Sequence, residues 1–181
     1  MEIRSSYKES DYSKVFKSLT FSLQPKLIVE FGILDGYSLQ AFLDSRPDGC
    51  RVEAYDLFDE FPYNAADFEH IGQKFAKYDD FRLEKGNFFG SEALYGDNSI
   101  DILHVDIANN GDVYEYFFEK YLPKVAKTGI CLLEGGSEER DLVDWMVKYE
   151  KPKITPVLQK YRNQYNILVL DDFPSLTIVS R

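Results

Sequence analysis

The stretch EFGILDGYS brings an acid, two glycines and a hydroxyl close together. Glu30 precedes Gly32, and Gly36 precedes Ser38. The apolar run before this stretch predicts a strand, and the residues from about Tyr37 onward predict a helix, so the chain must turn sharply at the glycines. The first N–H groups of a helix lack partners within it, and the helix dipole is positive there, which favours a carboxylate or a phosphate. We therefore expect a ligand over the bare backbone of this turn.

Polar and aromatic residues also follow the next two strand-like runs. Asp56 and Phe58 follow the first of these runs, and Asn87 and Phe88 follow the second. A carboxylate accepts bonds from both hydroxyls of a ribose, each charged hydrogen bond contributing about 1.5–3 kcal/mol. An amide beside a ring suits the edge and face of an adenine. Since the dinucleotide fingerprint G-x-G-x-x-G is absent, these residues predict a nucleoside pocket without a pyrophosphate cradle.

Short apolar runs alternate with helical patterns along the chain. Strands are predicted over residues 26–32, 51–58, 81–88, 100–106 and 129–135. Helices are predicted over residues 8–19, 37–45, 64–77, 112–126 and 138–149, with a further short segment near 153–162. Asp112 and Glu115 are typical of a capping box at the start of the fourth helix.

The C-terminal sequence NILVLDDFPSLTIVS predicts two antiparallel strands joined by a turn. Together with the alternation before it, this pattern predicts an α/β fold of the Rossmann-like, doubly wound kind. Its sheet is expected to be seven-stranded and mostly parallel, with an antiparallel last strand.

Length and composition narrow the function classes. A chain of 181 residues suits a single domain, here expected as an N-terminal helical segment (1–24) and an α/β core (25–181). With 31 acidic and 21 basic side chains and a net charge of −10, we expect no nucleic-acid partner. No apolar run approaches the roughly 18–20 residues of a membrane span, so we expect no membrane partner and a cytoplasmic location. Cys50 and Cys131 match no ligand or redox spacing and are expected to stay unbridged.

The motifs resemble those of a known enzyme family. EFGILDGYSL is similar to the cofactor motif of class I S-adenosylmethionine-dependent methyltransferases, especially the small-molecule O-methyltransferases of the caffeoyl-CoA type. YDLFDEFP resembles the macrocin O-methyltransferase group, in which an Asp-x-Phe-x-x-x-Pro pattern follows the second strand. The resemblance covers about residues 25 to 135 and extends to the last two strands.

This resemblance implies S-adenosylmethionine as the cofactor and O-methylation of a small molecule, a sugar or a secondary metabolite, as the activity. It also implies which residues bind the cofactor. They are Glu30, Gly32, Gly36, Tyr37 and Ser38 around the methionine part, Asp56 at the ribose, and Leu57, Phe58, Asn87 and Phe88 at the adenine.

Asp106 ends the fourth predicted strand. In the related metal-dependent O-methyltransferases an Asp at this position is a metal ligand, joined by an acidic pair after the fifth strand. The resemblance therefore implies Asp106 as a cofactor-site residue and, with Glu134, as a ligand of Mg²⁺. Because a hydroxyl acceptor must lose a proton, Asp106 is alternatively the first candidate for the catalytic base. Gly135 follows Glu134 where the pattern has an Asn, which departs from the metal-dependent pattern. Asn109 and Asn110 offer oxygen ligands instead.

The two histidines are the other candidate bases. His104 lies on the same predicted strand as Asp106, and we expect it to be a buried, hydrogen-bonded residue rather than a base. His70 lies in a predicted helix and is expected at the surface.

The methyl acceptor is not specified by these motifs. Tyr37, Phe61, Tyr63 and Tyr114 are candidates for a substrate mouth, and equally ordinary core and interface residues. We expect acceptor binding to involve a second copy of the chain, in a homodimer, or the segment 59–68. Two alternative functions stay open: a methyltransferase-fold binding or assembly module without catalysis, and a nicotinamide-dependent Rossmann oxidoreductase, which the missing fingerprint disfavours.

Overall fold

The computed structural model describes residues 4–7, 10–60 and 64–181. Its strands are β1 (Leu27–Phe31), β2 (Arg51–Asp56), β3 (Phe81–Lys85), β4 (Ile100–Val105), β5 (Val125–Glu134), β6 (Asn166–Leu170) and β7 (Leu176–Ser180). Its helices are α1 (Ser13–Leu23), α2 (Tyr37–Ser45), α3 (Phe68–Phe75), the distorted turn α4 (Phe88–Ser91), α5 (Gly111–Tyr116), α6 (Asp144–Lys148) and α7 (Thr155–Tyr161).

The strands form a seven-stranded sheet of order β3-β2-β1-β4-β5-β7-β6. β1 pairs with β2, β2 with β3 and β4 with β5, in each case in parallel. β7 pairs antiparallel with both β5 and β6. The predicted fold class, a mostly parallel Rossmann-like sheet with an antiparallel end, is therefore confirmed.

The chain comprises two compact units, residues 1–91 and 92–181. The first contains α1 to α4 and β1 to β3, and the second contains the remaining elements. The expectation of a single domain over 1–181 stays a prediction. The expected N-terminal helical segment (1–24) corresponds to α1, which lies within the first unit.

In the first unit, β1 is buried along its whole length. This explains its nearly continuous apolar sequence, since a parallel strand with both faces covered has no solvent-facing side. The helix α2 buries Leu39, Phe42 and Leu43, a spacing that places them on one helical face. Phe16 of α1 packs on Phe42 with ring centroids 5.3 Å apart, so α1 extends the same core.

In the second unit, β4 and β5 form the buried centre. Leu103 lies opposite Cys131 in the parallel register, and both side chains are fully buried. The helix α5 buries Val113 and Tyr114 and continues as a π turn over Phe117–Tyr121 and a 3₁₀ turn over Leu122–Lys124. The prediction of one helix over 112–126 thus found the helical region but not its change of pitch.

The predicted capping box of α5 is wrong. The residue that caps α5 is Asn110, whose side chain accepts a hydrogen bond from the Asp112 N–H at 2.9 Å. Asp112 itself lies in the first helical turn, where a negative charge favours the helix dipole. The helix therefore begins one residue earlier than the sequence pattern indicated.

Other helix ends differ from their predictions for identifiable reasons. α3 begins at 68 rather than 64 because Asp67 caps it, accepting a bond from the His70 N–H at 2.9 Å. The helix predicted over 138–149 is instead a 3₁₀ turn, Arg140–Leu142, followed by the short α6. Arg140 and Asp141 are buried there, and their side chains bind partners elsewhere in the unit. α1 spans 13–23 instead of 8–19, and residues 8 and 9 lie outside the described part of the chain.

Two further expectations concern the cysteines and the membrane. Cys50 and Cys131 are free and buried, so the prediction that they stay unbridged is confirmed. Burial raises the pKa of the Cys131 thiol well above its ordinary value, which keeps it protonated and unreactive. Among the described residues, no helix combines the length and the apolar character needed to span a bilayer.

The start of α5 offers a test of the packing in the second unit. A Cβ on Gly111 would lie 2.6 Å from the Lys153 carbonyl oxygen and 2.9 Å from the Pro152 Cβ. We expect Gly111→Ala to lower the free energy of unfolding by about 1–3 kcal/mol, because backbone atoms must move. Urea denaturation measures this change. The control Gly96→Ala, whose Cβ would have no neighbour within 4 Å, should shift it by less than about 0.5 kcal/mol. Equal effects would contradict the packing described here.

Candidate functional site

The glycine turn after β1 needs both of its glycines. Gly32 and Gly36 have φ values of 89° and 76°, a region that residues with a Cβ rarely adopt. The Gly32 N–H donates to the Tyr55 carbonyl at 2.9 Å, and the Gly36 N–H donates to the Ile33 carbonyl at 2.8 Å. A Cβ on Gly36 would also lie 2.6 Å from the Phe75 ring. The turn is therefore shaped by backbone bonds and by close packing against α3.

Glu30 and Ser38 are bonded to each other beneath this turn. Glu30 is fully buried and Ser38 is buried, and the Ser38 hydroxyl donates to the Glu30 carboxylate. A buried carboxylate requires such a donor, because its desolvation is costly. The sequence suggested that the Ser38 hydroxyl faces a ligand, whereas in the structure this hydroxyl binds Glu30.

Asp56 lies at the end of β2, half-buried, and is bonded to the glycine turn. Its Oδ2 accepts a bond from the Ile33 N–H at 2.8 Å. Its Oδ1 accepts bonds from the Phe58 N–H, at 3.2 Å, and from the Asn64 side-chain amide. The first unit therefore brings Asp56 and the turn together, as the nucleoside-pocket hypothesis requires. Sequence reasoning missed Asn64, since nothing in the sequence pairs it with Asp56.

The residues expected at an adenine have mixed surroundings. Phe58 is buried and packs edge-on against Phe68 at 5.1 Å, and Leu57 is half-buried. Phe88 is buried and packs edge-on against Phe31 at 5.4 Å. Both rings therefore also contribute to the hydrophobic core.

Asn87 is the most accessible of the expected cofactor ligands, and Tyr37 is half-buried like several of the others. Asn87 is exposed, and its side-chain oxygen accepts a bond from the Phe89 N–H at 3.0 Å. Tyr37 is half-buried at the first position of α2. The role of each of these residues in cofactor binding stays a prediction.

A cluster of charges binds the outer part of the glycine turn. The Arg4 backbone N–H donates to Asp35 Oδ2 at 2.7 Å, and its guanidinium contacts both Asp35 carboxylate oxygens, at 2.9 and 2.6 Å. Arg4 also donates to the Ala65 carbonyl at 3.1 Å, and the Lys74 ammonium donates to the Asp35 carbonyl at 2.6 Å. The hydrogen bonds of Arg4, with its charge and that of Lys74, lower the pKa of Asp35 from its ordinary 3.8 to about 2, although partial burial opposes this. No motif or periodicity in the sequence pairs Arg4 or Lys74 with Asp35.

In the second unit, Asp106 directly follows β4 and is half-buried. The neighbouring Asn109 is fully buried, and its amide nitrogen donates to the carbonyls of Val105 and Glu134 at 2.9 and 2.8 Å. Its side-chain oxygen accepts from the Ile107 N–H at 3.4 Å. Asn109 therefore closes this loop on the end of β5, and Asn110 caps α5. Both asparagine side chains serve local structure.

Glu134, the last residue of β5, forms a buried ion pair with Arg140. Arg140 Nε lies 2.5 Å from Glu134 Oε1, and Arg140 Nη2 lies 2.9 Å from Oε2. The two side chains are only 6% and 5% exposed, respectively for Glu134 and Arg140. Burial lowers the pKa of Arg140, but Glu134, with Tyr114 and Asp106, outweighs that effect and raises it. Because each carboxylate oxygen accepts a hydrogen bond from the charged guanidinium, we describe Glu134 and Arg140 as an ion pair.

This arrangement does not fit the expected magnesium site. A magnesium ligand must offer an open oxygen, whereas both oxygens of Glu134 bind Arg140. The described part of the chain contains no group of three or more His, Cys, Asp or Glu side chains able to hold a metal ion. The assignment of Mg²⁺ to Asp106 and Glu134 therefore gains no support from the donor set.

The remaining sequence candidates are placed as follows. His104 is fully buried on β4, and His70 is exposed on α3, as expected for their locations. Tyr114 is fully buried, and its hydroxyl donates to the Glu134 carbonyl at 3.1 Å, which makes it a core residue rather than part of a substrate mouth. Phe61 and Tyr63 lie outside the described residues.

The contact between Arg4 and Asp35 predicts a pH dependence of stability. Because the pKa of Asp35 is depressed in the folded protein, from 3.8 to about 2, its contribution is present above about pH 4 and is lost as the pH falls toward 2. We expect the free energy of unfolding to fall less between about pH 4 and pH 2 in Asp35→Asn than in the wild type. Urea titrations at several pH values measure both slopes. The exposed Asp48→Asn is the control and should keep the wild-type slope. A wild-type slope in Asp35→Asn would contradict the contact.

No protein-family model matches the chain, and no curated protein matches it in sequence. Many solved structures match it in fold.

Three of these structures illustrate the likeness. An O-methyltransferase from Bacillus cereus in complex with S-adenosylhomocysteine has a TM-score of 0.72 and 13% identity, over 99% of this chain and 84% of the other. The O-methyltransferase TomG from Streptomyces achromogenes, in complex with S-adenosylmethionine, has a TM-score of 0.65 and 16% identity, over 97% of this chain and 86% of the other. The Podospora anserina methyltransferase PaMTH1, bound to S-adenosylhomocysteine, has a TM-score of 0.65 and 18% identity, over 93% of this chain and 76% of the other.

At identities this low, the TM-scores establish a shared fold but say nothing about the substrate of this chain. The strand order and the antiparallel end of the sheet described above agree with that likeness. The chain therefore has the fold of the class I S-adenosylmethionine-dependent O-methyltransferases.

Proposed function

We propose that this protein is an S-adenosylmethionine-dependent methyltransferase that methylates an oxygen of a small molecule, either a sugar or a secondary metabolite. One observation carries the proposal: the carboxylate of Asp56 is held against the glycine turn by the Ile33 N–H. A carboxylate at the end of β2, beside a turn of bare backbone, suits the hydroxyls of a ribose. The fold, shared with methyltransferases crystallised with this cofactor or its product, supports the same assignment.

The first unit supplies the residues that would hold the cofactor, whose sulfonium carries the transferable methyl group. We assign Glu30, Gly32, Gly36, Tyr37 and Ser38 to the methionine part, Asp56 to the ribose, and Leu57, Phe58, Asn87 and Phe88 to the adenine. The Ser38–Glu30 bond fixes the carboxylate beneath the turn. This leaves the first N–H groups of α2 to bind a carboxylate.

The bonds of Asp56 suggest how a ribose would be accepted. An ionised carboxylate has about four acceptor positions, and Asp56 already accepts bonds from Ile33, Phe58 and Asn64. Two ribose hydroxyls therefore require one of these donors to leave. Asn64 is the candidate, because a side-chain amide can rotate away while the two backbone donors are fixed by the turn. In this proposal a ribose takes the place of the Asn64 amide.

We assign the acceptor's proton to Asp106. A hydroxyl must lose its proton as the oxygen attacks the methyl carbon, and a positioned carboxylate can accept it. Asp106 is half-buried at the end of β4, whereas His104 is fully buried. Asp106 is also retained as a cofactor-site residue, as the resemblance implies. The remaining proposals are a small-molecule acceptor, no nucleic-acid or membrane partner, a homodimer and a cytoplasmic location.

A second candidate function is a methyltransferase-fold binding or assembly module without catalysis. The observation that favours it is the use of Glu134, Asn109 and Asn110 in structural bonds, which makes these three side chains poor candidates for a catalytic role. A nicotinamide-dependent oxidoreductase is less well supported, because the turn lacks the pyrophosphate-binding fingerprint.

Calorimetry with S-adenosylmethionine and S-adenosylhomocysteine tests the cofactor assignment. We expect micromolar binding by the wild type and at least about a ten-fold loss in Asp56→Ala, since two charged hydrogen bonds disappear. Asp59→Ala is the matched control, because Asp59 is exposed and pairs with Lys85, and it should bind like the wild type. Circular dichroism verifies that each variant is folded. No binding by the folded wild type would end the methyltransferase proposal.

Turnover with a panel of hydroxylated acceptors separates the two candidate functions. In Asp106→Asn we expect methyl transfer to fall by about 10²–10⁴-fold, because the amide cannot accept the proton. Cofactor affinity should change far less, since the amide oxygen can still accept a hydrogen bond from the cofactor. Asp101→Asn, on the same strand, is the control and should keep wild-type turnover. Cofactor binding without turnover on any acceptor would favour the binding module. Full activity in Asp106→Asn would remove Asp106 as the base.

A further inference from the structure

The guanidinium of Arg140 lies at the centre of the loops that end β4 and β5. Besides its two bonds to Glu134, it donates to the Asn109 carbonyl at 3.3 Å and to the Met146 sulfur at 3.0 Å. Its carbon lies 5.2 Å from the centre of the Trp145 ring, a distance at which a cation is attracted to the ring face. One buried cation thus joins the end of β5, the loop after β4 and α6.

A second buried acidic side chain, next to Arg140 in the sequence, is also bonded to local groups. Asp141 accepts bonds from the Ile154 N–H at 2.7 Å, the Thr155 N–H at 3.0 Å and the Thr155 hydroxyl at 2.7 Å. These bonds hold the start of α7. Asp106 is half-buried directly after β4, and its negative charge acts on Arg140.

A divalent ion in this region would meet two obstacles. It would have to displace Arg140 from Glu134 to gain an oxygen ligand, leaving a buried guanidinium without its counter-charge. If Arg140 stayed in place, the ion would bind near its buried positive charge, and the repulsion between the two cations would be weakly screened by water. The resemblance implies Glu134 as a metal ligand, and in the structure both oxygens of that carboxylate bind Arg140 instead.

We propose that Arg140 is the resident cation of this region, that its ion pair with Glu134 takes the place of a divalent metal site, and that the protein works without a metal. Arg140 is a positioning residue in this proposal, because it binds Glu134 and the carbonyl of Asn109. Asn109 and Asp106 lie in the same loop after β4. The part of the proposal that concerns metal binding stands independently of the proposed function, and the part that concerns turnover rests on it.

Titration with Mn²⁺, followed by its electron paramagnetic resonance signal, tests the proposal on the folded protein. We expect the wild type to bind Mn²⁺ only weakly, and no differently from Glu134→Gln and Asp106→Asn. Binding that is the same in all three proteins reports surface carboxylates and supports the proposal. A stoichiometric site that either variant weakens by about ten-fold or more, the loss typical of a damaged metal site, would overturn it. The Asp106→Asn arm decides the outcome if Glu134→Gln fails to fold.

The second measurement is methyl transfer with EDTA and with added Mg²⁺. We expect the wild-type rate to be the same in both. A rate abolished by EDTA and restored by Mg²⁺ would overturn the proposal even if the titration showed weak binding. If the chain fails to bind S-adenosylmethionine in calorimetry, the proposed function fails, while the Mn²⁺ titration still decides the question of the metal.

Discussion

A carboxylate buried near the end of a strand is costly unless a donor reaches it, and each compact unit contains one. In the first unit the Ser38 hydroxyl, in the first turn of α2, binds Glu30, and the positive end of the helix dipole adds to the stabilisation. In the second unit Arg140 binds both oxygens of Glu134. In both cases the partner comes from the segment that follows the strand. Satisfying the carboxylate therefore also fixes the loop that forms the candidate site.

The glycine turn shows how such a loop prepares a side chain for a ligand. The Ile33 N–H donates to Asp56. Because this donor is a backbone group, no donor side chain loses conformational freedom when the bond forms, and the carboxylate is oriented before a ligand binds. Arg4 and Lys74 hold the same turn through Asp35. Substitutions in the N-terminal segment should therefore affect the turn, although that segment contributes none of the assigned cofactor ligands.

The sequence predicted the fold better than it predicted the site. Seven strands and the antiparallel end follow from apolar runs, and α2 was found at its observed bounds, 37–45, because a glycine turn and a regular apolar face define it. Helix ends depend on single caps, and Asn110 rather than Asp112 caps α5. The pairing of Asp56 with Ile33, 23 positions apart, follows from strand order. By contrast, the partners of Arg4 and Arg140 depend on side-chain packing, and no periodicity in the sequence reports it.

The burial of Arg140 also affects which methyl acceptors could readily lose the proton of their hydroxyl group. Arg140 is bonded to Glu134, Asn109 and Met146, so it cannot bind an acceptor oxygen as an exchangeable metal ion does. Without that help a hydroxyl must lose its proton to a carboxylate or to water. A phenol, with a pKa near about 10, does so far more readily than an aliphatic hydroxyl, which resembles water at about 15.7. A difference of nearly six pKa units corresponds to about 8 kcal/mol. The proposed metal-free site would therefore favour phenolic secondary metabolites over sugars as acceptors in the proposed reaction.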